Sequence, residues 1–516
     1  MWWRDAVAYQ IYPRSFADSN GDGIGDLRGI LSRLPYLEWL GIDAIWLNPT
    51  MPSPNVDWGY DVADYTGVHP ELGTLADLDE LTAEAQRRGI RVLLDLVPNH
   101  TSDRHPWFED SRSSRDSAHR DWYVWADGKG DGVPPNNWVG PFGGRSWTYD
   151  ERTEQWYMHN FSSAQPDLNW WNEEVRDAFD DVLRFWFDRG IDGFRIDVTN
   201  ALIKDAELRD NPDPVPDDDP WAKRYGQPAV YNANRPEVHD IYRRWRRVAE
   251  EYEPARLFVG EVWVWDPAGW AAYFGDAKDE LQLLFHFRVL DAPFDLGLRD
   301  VVRDIEAALP EGGLPALAGS NHDVVRFPTR WCDGDEARIR LALLALLTLR
   351  GTPFVYYGDE IGMQNAHVPD ERVRDVASPS RDPARTPMQW ADAPGAGFTD
   401  PGIEPWLPFG DLSRSNVEAQ REDADSILRF CRDVIAFRRE SDDLRRGNYR
   451  ELPAPDGVWA WRRGERTTVA INFGAEDAVL SDCGGVIALS TDRRRNGERA
   501  EDGVRLRPQE GVIVVA

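Results

Sequence analysis

The chain is poor in cysteine, poor in lysine and short of long apolar runs, and each scarcity excludes something. Its three cysteines, Cys332, Cys431 and Cys483, stand far apart in 516 residues. An odd number without metal spacing makes neither a disulfide framework nor a zinc site, and predicts reduced thiols in a cytoplasmic protein. The longest apolar run, Leu341 to Leu349, falls far short of the roughly 20 residues that a membrane span needs. It predicts a packed helix and no membrane partner. The opening residues, Met1-Trp2-Trp3-Arg4-Asp5-Ala6, contain no basic region followed by an apolar segment, so no secretion signal is expected. Positive charge is heavily outweighed, leaving a net charge of -31. That sign repels phosphate backbones and anionic headgroups, which excludes nucleic acid and favours a neutral substrate. Lysine occurs only at positions 129, 204, 223 and 278, a compositional bias from which no function follows. An apolar content of 41% can bury a large core, so one big domain with appendages, or two to three domains, is expected.

Chemistry enters at Gly193-Phe194-Arg195-Ile196-Asp197-Val198, a short apolar run carrying one arginine and one carboxylate. Just before it, Val182 to Phe187 has helical spacing and ends at Gly190, giving helix, glycine stop, then buried strand. Side chains alternate along a strand, so Arg195 and Asp197 share a face. A guanidinium at that distance is expected to lower the pKa of Asp197 and keep it ionised, which suits a nucleophile. The alternative is a structural ion pair at a strand end.

Strand-like and helix-like segments alternate from the start. Strands are predicted at Val7 to Tyr12, Ala44 to Leu47, Arg91 to Val97, the run ending at Asp197, Leu257 to Val259, Leu281 to Phe285, Pro315 to Ala318 and Phe354 to Tyr356. Helices fall between them, as at Gly29 to Leu40 and Leu75 to Gly89. This is an α/β pattern, and eight parallel strands with helical crossovers predict a closed (β/α)8 TIM barrel whose chemistry lies at the carboxyl ends of the strands. An open doubly wound sheet is disfavoured, because no Gly-rich phosphate fingerprint follows the first strand. The rhythm breaks after the third strand in a Trp-, Gly- and Pro-rich excursion, and again near 358–409. Beyond residue 446 come short β-rich runs that predict an antiparallel β domain. The expected division is barrel 1–101, insertion 102–169, barrel 170–445 and β domain 446–516.

Strand ends carry polar clusters: Asp95 to His100 after the third, Arg195 and Asp197 after the fourth, Gly260-Glu261 on the fifth, and Asn321-His322-Asp323 after the seventh. All converge on one mouth of a barrel. Three carboxylates from separate strands match glycosidic bond cleavage, one as nucleophile, one as acid and base, others binding hydroxyls and opposing positive charge. No HxH or HExxH spacing supports a catalytic metal.

These four clusters resemble the main motifs of the α-amylase superfamily, glycoside hydrolase family 13, and the likeness spans nearly the whole chain. The resemblance implies Asp197 as nucleophile, Glu261 as general acid/base and Asp323 as transition-state stabiliser, with His100, Arg195 and His322 binding sugar or orienting carboxylates. It also implies that the insertion is domain B and the tail domain C. Gly59-Tyr60-Asp61-Val62, Gln165-Pro166-Asp167-Leu168-Asn169-Trp170 and Ser380-Arg381-Asp382-Pro383-Ala384-Arg385-Thr386-Pro387-Met388-Gln389-Trp390 resemble exo-acting α-glucosidases of the oligo-1,6-glucosidase type. Gln165 belongs to the substrate-binding set. In such enzymes the residues matching Asp61 and Arg381 grip the non-reducing glucose and close the pocket, while Tyr60 would stack beneath the ring. In the resembling group a valine directly after the nucleophile accompanies α-1,6 activity, so the resemblance implies that Val198 leans towards α-1,6 linkages. A transglucosidase or a trehalose or sucrose isomerase would use the same residues. A non-catalytic transporter-subunit homologue would require a membrane anchor and broken carboxylates, which this sequence does not have.

Asp18-Ser19-Asn20-Gly21-Asp22-Gly23-Ile24-Gly25-Asp26 sets oxygen donors at Asp18, Asn20, Asp22 and Asp26, with the Ile24 carbonyl between. That is the first part of an EF-hand loop, but Gly29 stands where its closing glutamate belongs. A lone structural Ca²⁺ or Mg²⁺ is expected, as in the resembling enzymes, with no catalytic cofactor. The predicted partner is a short oligosaccharide or disaccharide.

Overall fold

A computed structural model of the chain describes residues 1–516, the side chain of Trp221 excepted. Strands β1 (Ala8–Ile11), β2 (Ala44–Leu47) and β3 (Arg91–Leu96) are parallel neighbours and nearly wholly buried. Burial on both faces explains why they read as continuous apolar runs. The helices between them are started by side chains. Asp26 caps Leu27–Leu40, which Gly41 ends in the left-handed conformation, and Thr74 with Asp77 forms a capping box on Leu75–Arg87.

After β3 the chain leaves the barrel. Between it and the fourth barrel strand lies a small antiparallel sheet of β4 (Trp125–Ala126), β5 (Trp147–Asp150) and β6 (Gln155–Met158), in the order β4-β6-β5. The sequence gives no clear period there because these strands have four residues or fewer. The barrel resumes with β7 (Gly193–Ile196), β8 (Leu257–Val262), β9 (Leu283–His286), β10 (Leu314–Ala318) and β11 (Thr352–Tyr356). It closes in the order β1-β11-β10-β9-β8-β7-β3-β2, with Ala8 opposite Phe354. The eight predicted strands are these eight, each within a few residues of its expected ends. Gly193 is required where β7 meets β8, since a Cβ there would lie 2.1 Å from the Leu257 carbonyl oxygen. Register sets Asp95 on β3 opposite Arg195 on β7, which fixes one of the site's ion pairs before any loop is considered.

Between β11 and residue 409 the only regular pieces are 3-10 turns such as Asp359–Ile361 and Asp382–Ala384. The apolar run 341–349 falls almost wholly in helix Glu336–Thr348, buried nearly all round against helix Ile427–Glu440. The tail forms β12 (Tyr449–Glu451), β13 (Val458–Arg463), β14 (Thr467–Asn472), β15 (Ala478–Ser481), β16 (Gly485–Ser490), β17 (Arg499–Ala500), β18 (Gly503–Leu506) and β19 (Glu510–Val515). Six of them pair antiparallel as β12-β13-β14-β19-β16-β17, and β15 pairs with β18. Among the described residues no helix is long and apolar enough to cross a membrane.

Candidate active site

Arg195 is the hub of the barrel mouth. Its Nη1 lies 2.9 Å from Asp95 Oδ1 and 2.7 Å from Asp197 Oδ1, and its Nη2 lies 2.7 Å from Glu261 Oε2. All four side chains are buried. One guanidinium therefore serves three carboxylates, and this overturns the expected lowering of the Asp197 pKa. Burial pushes Asp197 well up, Arg195 opposes, and the charges of Glu261 and Asp95 add to the rise. Burial likewise raises Asp95 to about 6 against the pull of Arg195. Arg195 thus holds Asp197 and Glu261 beside each other, and a retaining mechanism needs one nucleophile and one acid held close.

The chain after β7 is bent to serve the same end. Val198 has φ 47° and ψ 43°, a left-handed conformation that costs a β-branched residue about 1–3 kcal/mol. In it the Val198 N–H donates to Glu261 Oε2 at 2.9 Å. Asp197 N donates to the Leu96 carbonyl at 2.9 Å, fixing the carboxylate at the strand end.

Asp323 joins the centre through His322. Gln10 Nε2 donates to His322 Nδ1 at 2.9 Å, which leaves the proton on Nε2, 3.1 Å from Asp323 Oδ2. Burial holds His322 well below its ordinary range, so it is neutral. Burial opposes ionisation of Asp323, but His322, Arg381 and Arg385 prevail and keep it well below the usual carboxylate range. Tyr60 stacks on His322 with centroids 5.3 Å apart and 4° between planes. Its hydroxyl lies 2.6 Å from His322 Nε2 and donates to Asp95 Oδ2 at 2.9 Å. One face of Tyr60, expected beneath a sugar, thus meets an imidazole.

The far wall differs from the sequence reading. Arg381 does not meet Asp61. Its Nη2 lies 2.7 Å from Asp57 Oδ1 and its Nη1 3.0 Å from Asp323 Oδ1. Asp61 is wholly buried and accepts from the Ser53 hydroxyl at 2.7 Å and the Val56 and Asp57 N–H groups at 2.9 and 3.0 Å. It braces the turn; Asp57 faces the site. Gln165 Nε2 donates to Asp57 Oδ2 at 3.0 Å and sits 3.2 Å from His100 Nε2, so the insertion supplies this wall.

His100 accepts from Asn99 Nδ2 at 3.0 Å and donates to the Tyr60 carbonyl at 3.0 Å, and burial lowers its pKa. Behind it is a group that no motif singles out. Lys204 is buried, with Nζ 2.8 Å from Asn99 Oδ1 and 2.8 Å from Asp167 Oδ2. Burial pulls its pKa down and Asp167 opposes. The only signal was its rarity in an arginine-rich chain.

A small crevice lies on the Glu261 side, lined by Trp46, Arg195, Glu261, Phe285, Phe287 and Asn321 among others, and Arg381 is not part of its lining.

In the Asp18–Asp26 loop, Asp18 accepts backbone N–H groups of Asn20, Gly21 and Gly23, Asn20 accepts that of Asp22, and Asp22 that of Ile24. Asp26 Oδ1 caps the first helix through Gly29 N, and its oxygens also accept from Ser19. These are hard oxygen donors of the kind Ca²⁺ takes. Among the described residues, however, no group of three or more His, Cys, Asp or Glu side chains is gathered to hold a metal.

Residues 10–447 match the alpha-amylase catalytic domain. The chain belongs to the α-amylase family of glycoside hydrolases. Within that family it is 46% identical to a probable alpha-glucosidase of Rhizobium meliloti over 470 residues, covering 86% of this chain and 84% of that one. It is 41% identical to an oligo-1,6-glucosidase of Heyndrickxia coagulans over 531 residues, 93% of each chain. Among solved structures, an alpha-glucosyl transfer enzyme superposes with a TM-score of 0.92 at 40% identity, covering 100% of this chain and 99% of that one.

Proposed function

We propose that the protein is a retaining exo-α-glucosidase that releases terminal non-reducing glucose from short α-glucosides. The observation that carries this reading is the closed wall opposite the catalytic pair, where Arg381 is tied to Asp57, Asp323 and Asp375. Ties of that kind would close the site beyond one terminal glucose and leave a longer chain no way past it. Asp197 attacks the anomeric carbon while Glu261 gives its proton to the leaving oxygen, forming a glucosyl ester. Glu261 then takes a proton from water, which displaces Asp197 and restores both groups. Asp323, kept ionised by His322, Arg381 and Arg385, opposes the positive charge that develops at the ring.

Val198 and the oligo-1,6-glucosidase names among the relatives favour α-1,6 bonds. A second reading, transfer of glucose to a sugar acceptor, is favoured by likeness to the transfer enzyme and by burial of Asp197 and Glu261, which restricts water. Rates and products on maltose, isomaltose, sucrose, trehalose and maltotriose test both. Glucose as the first product supports hydrolysis from the chain end. Rearranged disaccharides support transfer, and internal fragments overturn the exo reading. We include in the proposal a divalent cation in the Asp18–Asp26 loop that braces it without entering the reaction, supported by donor type and spacing. A cytoplasmic location is supported by three buried, unpaired cysteines.

A further inference from the structure

Arg381 is held from behind as firmly as from the front. Its Nε donates to Asp375 Oδ2 at 2.9 Å, its Nη2 to Asp375 Oδ1 at 2.5 Å, and its own backbone N to Asp375 Oδ2 at 2.6 Å. The side chain of Asp375 is wholly buried. Such a two-oxygen grip fixes the plane of a guanidinium as well as its position. A second arginine stands close, with Arg385 Nη1 3.9 Å from the same Asp375 oxygen and Arg385 Nη2 3.1 Å from Asp323. Two guanidinium groups at that spacing repel, and Asp375 is the negative charge they share on the side away from the catalytic pair.

The loop carrying Asp375 is locked reciprocally. Asp382 Oδ2 accepts the backbone N–H of Arg374 at 2.6 Å and of Asp375 at 3.0 Å. Trp58, next to Asp57, donates its indole N–H to the Arg374 carbonyl at 2.9 Å. The two sides of the closed wall are thereby tied together behind Arg381.

We propose that Asp375 is a positioning residue that sets specificity: it holds the Arg381 plane so that the outward N–H groups meet Asp57 and the hydroxyls at the non-reducing end of glucose. The inference rests on the α-glucosidase reading of the same site. Without the grip Arg381 swings away from Arg385, and the pocket loses its affinity for a terminal glucose more than its chemistry.

Hydrolysis of p-nitrophenyl α-glucoside by the full-length wild type, Asp375→Asn and Asp375→Glu tests this, with glucose as competitive inhibitor and thermal melting as a fold check. The expected result for Asp375→Asn is a rise of about 10- to 100-fold in KM and, in step, in the glucose inhibition constant, with kcat falling less than about threefold. Asp375→Glu, which keeps the charge, gives a smaller rise in both. A merely structural role lowers the melting temperature and leaves KM and the inhibition constant unchanged, and that result in a folded Asp375→Asn overturns the proposal. If Asp375→Asn does not fold, unchanged constants in Asp375→Glu overturn it. A wild type that does not cleave the glucoside overturns the functional reading itself.

Discussion

Arg381 and Asp57 face each other at 2.7 Å, while Asp61, four residues on, points into its own turn. The two aspartates therefore have separable roles. Asp57→Asn should raise KM for small α-glucosides about 10- to 100-fold by weakening a charged contact at the sugar end. Asp61→Asn places an amide against backbone donors and should lower stability by about 1–3 kcal/mol with a much smaller effect on KM. Steady-state kinetics beside thermal melting separates the two, and the reverse pattern would restore Asp61 to the site.

At the hub, Asp197→Asn and Glu261→Gln each should lower kcat by at least about 10³-fold without loss of fold. Glucosides with a leaving group that needs no proton should suffer less in Glu261→Gln, because the acid is spared in the first step. Equal losses on all leaving groups would contradict the assignment of Glu261.

Asp359, buried after β11, offers a pH test of stability. Burial raises its pKa to about 8, with the nearby Arg326 opposing, Ser320 and the Tyr356 backbone hydrogen-bonding to it and Glu360 adding to the rise. The folded state then binds a proton that the unfolded chain has released above about pH 4. Stability from this group is complete below the unfolded pKa and is lost as pH rises through about 8. The melting temperature of the wild type relative to Asp359→Asn should fall steadily from pH 5 to pH 8. A constant difference would show that Asp359 is ionised throughout.

Calcium is testable without turnover. If the Asp18–Asp26 loop takes the ion, millimolar Ca²⁺ after chelation should raise the melting temperature by about 2 °C or more, and Asp22→Ala should abolish the rise. No rise, with no metal found by elemental analysis, would mean that the loop is braced by its own hydrogen bonds.

The barrel was legible because its strands are apolar runs, four of them closed by a polar cluster, and Asp197, Glu261 and Asp323 sit at three of those ends. The far wall was not. Asp57 and Asp61 lie in one short acidic stretch, and which of them faces the site depends on the reversal at Trp58 and Gly59, with φ of 48° and 108°. Gly59 signals a turn but not its direction. Asp375 was hidden for a related reason: it reaches Arg381 from six residues away in an irregular loop, where neither period two nor 3.6 applies. The Asp197 pKa shift runs opposite to the expected direction because a pairwise reading leaves out burial and gives Arg195 one carboxylate partner where the fold gives it three.

Lys204 has a consequence for how the inserted lobe can be loosened. Its ammonium joins Asn99, at the end of the third barrel strand, to Asp167 of the insertion, and it is a positive charge fastened to the chain itself. A chelator cannot extract it and dilution cannot wash it out. Whatever sensitivity the protein has to EDTA must therefore arise elsewhere, and this joint should survive conditions that strip bound ions from the surface.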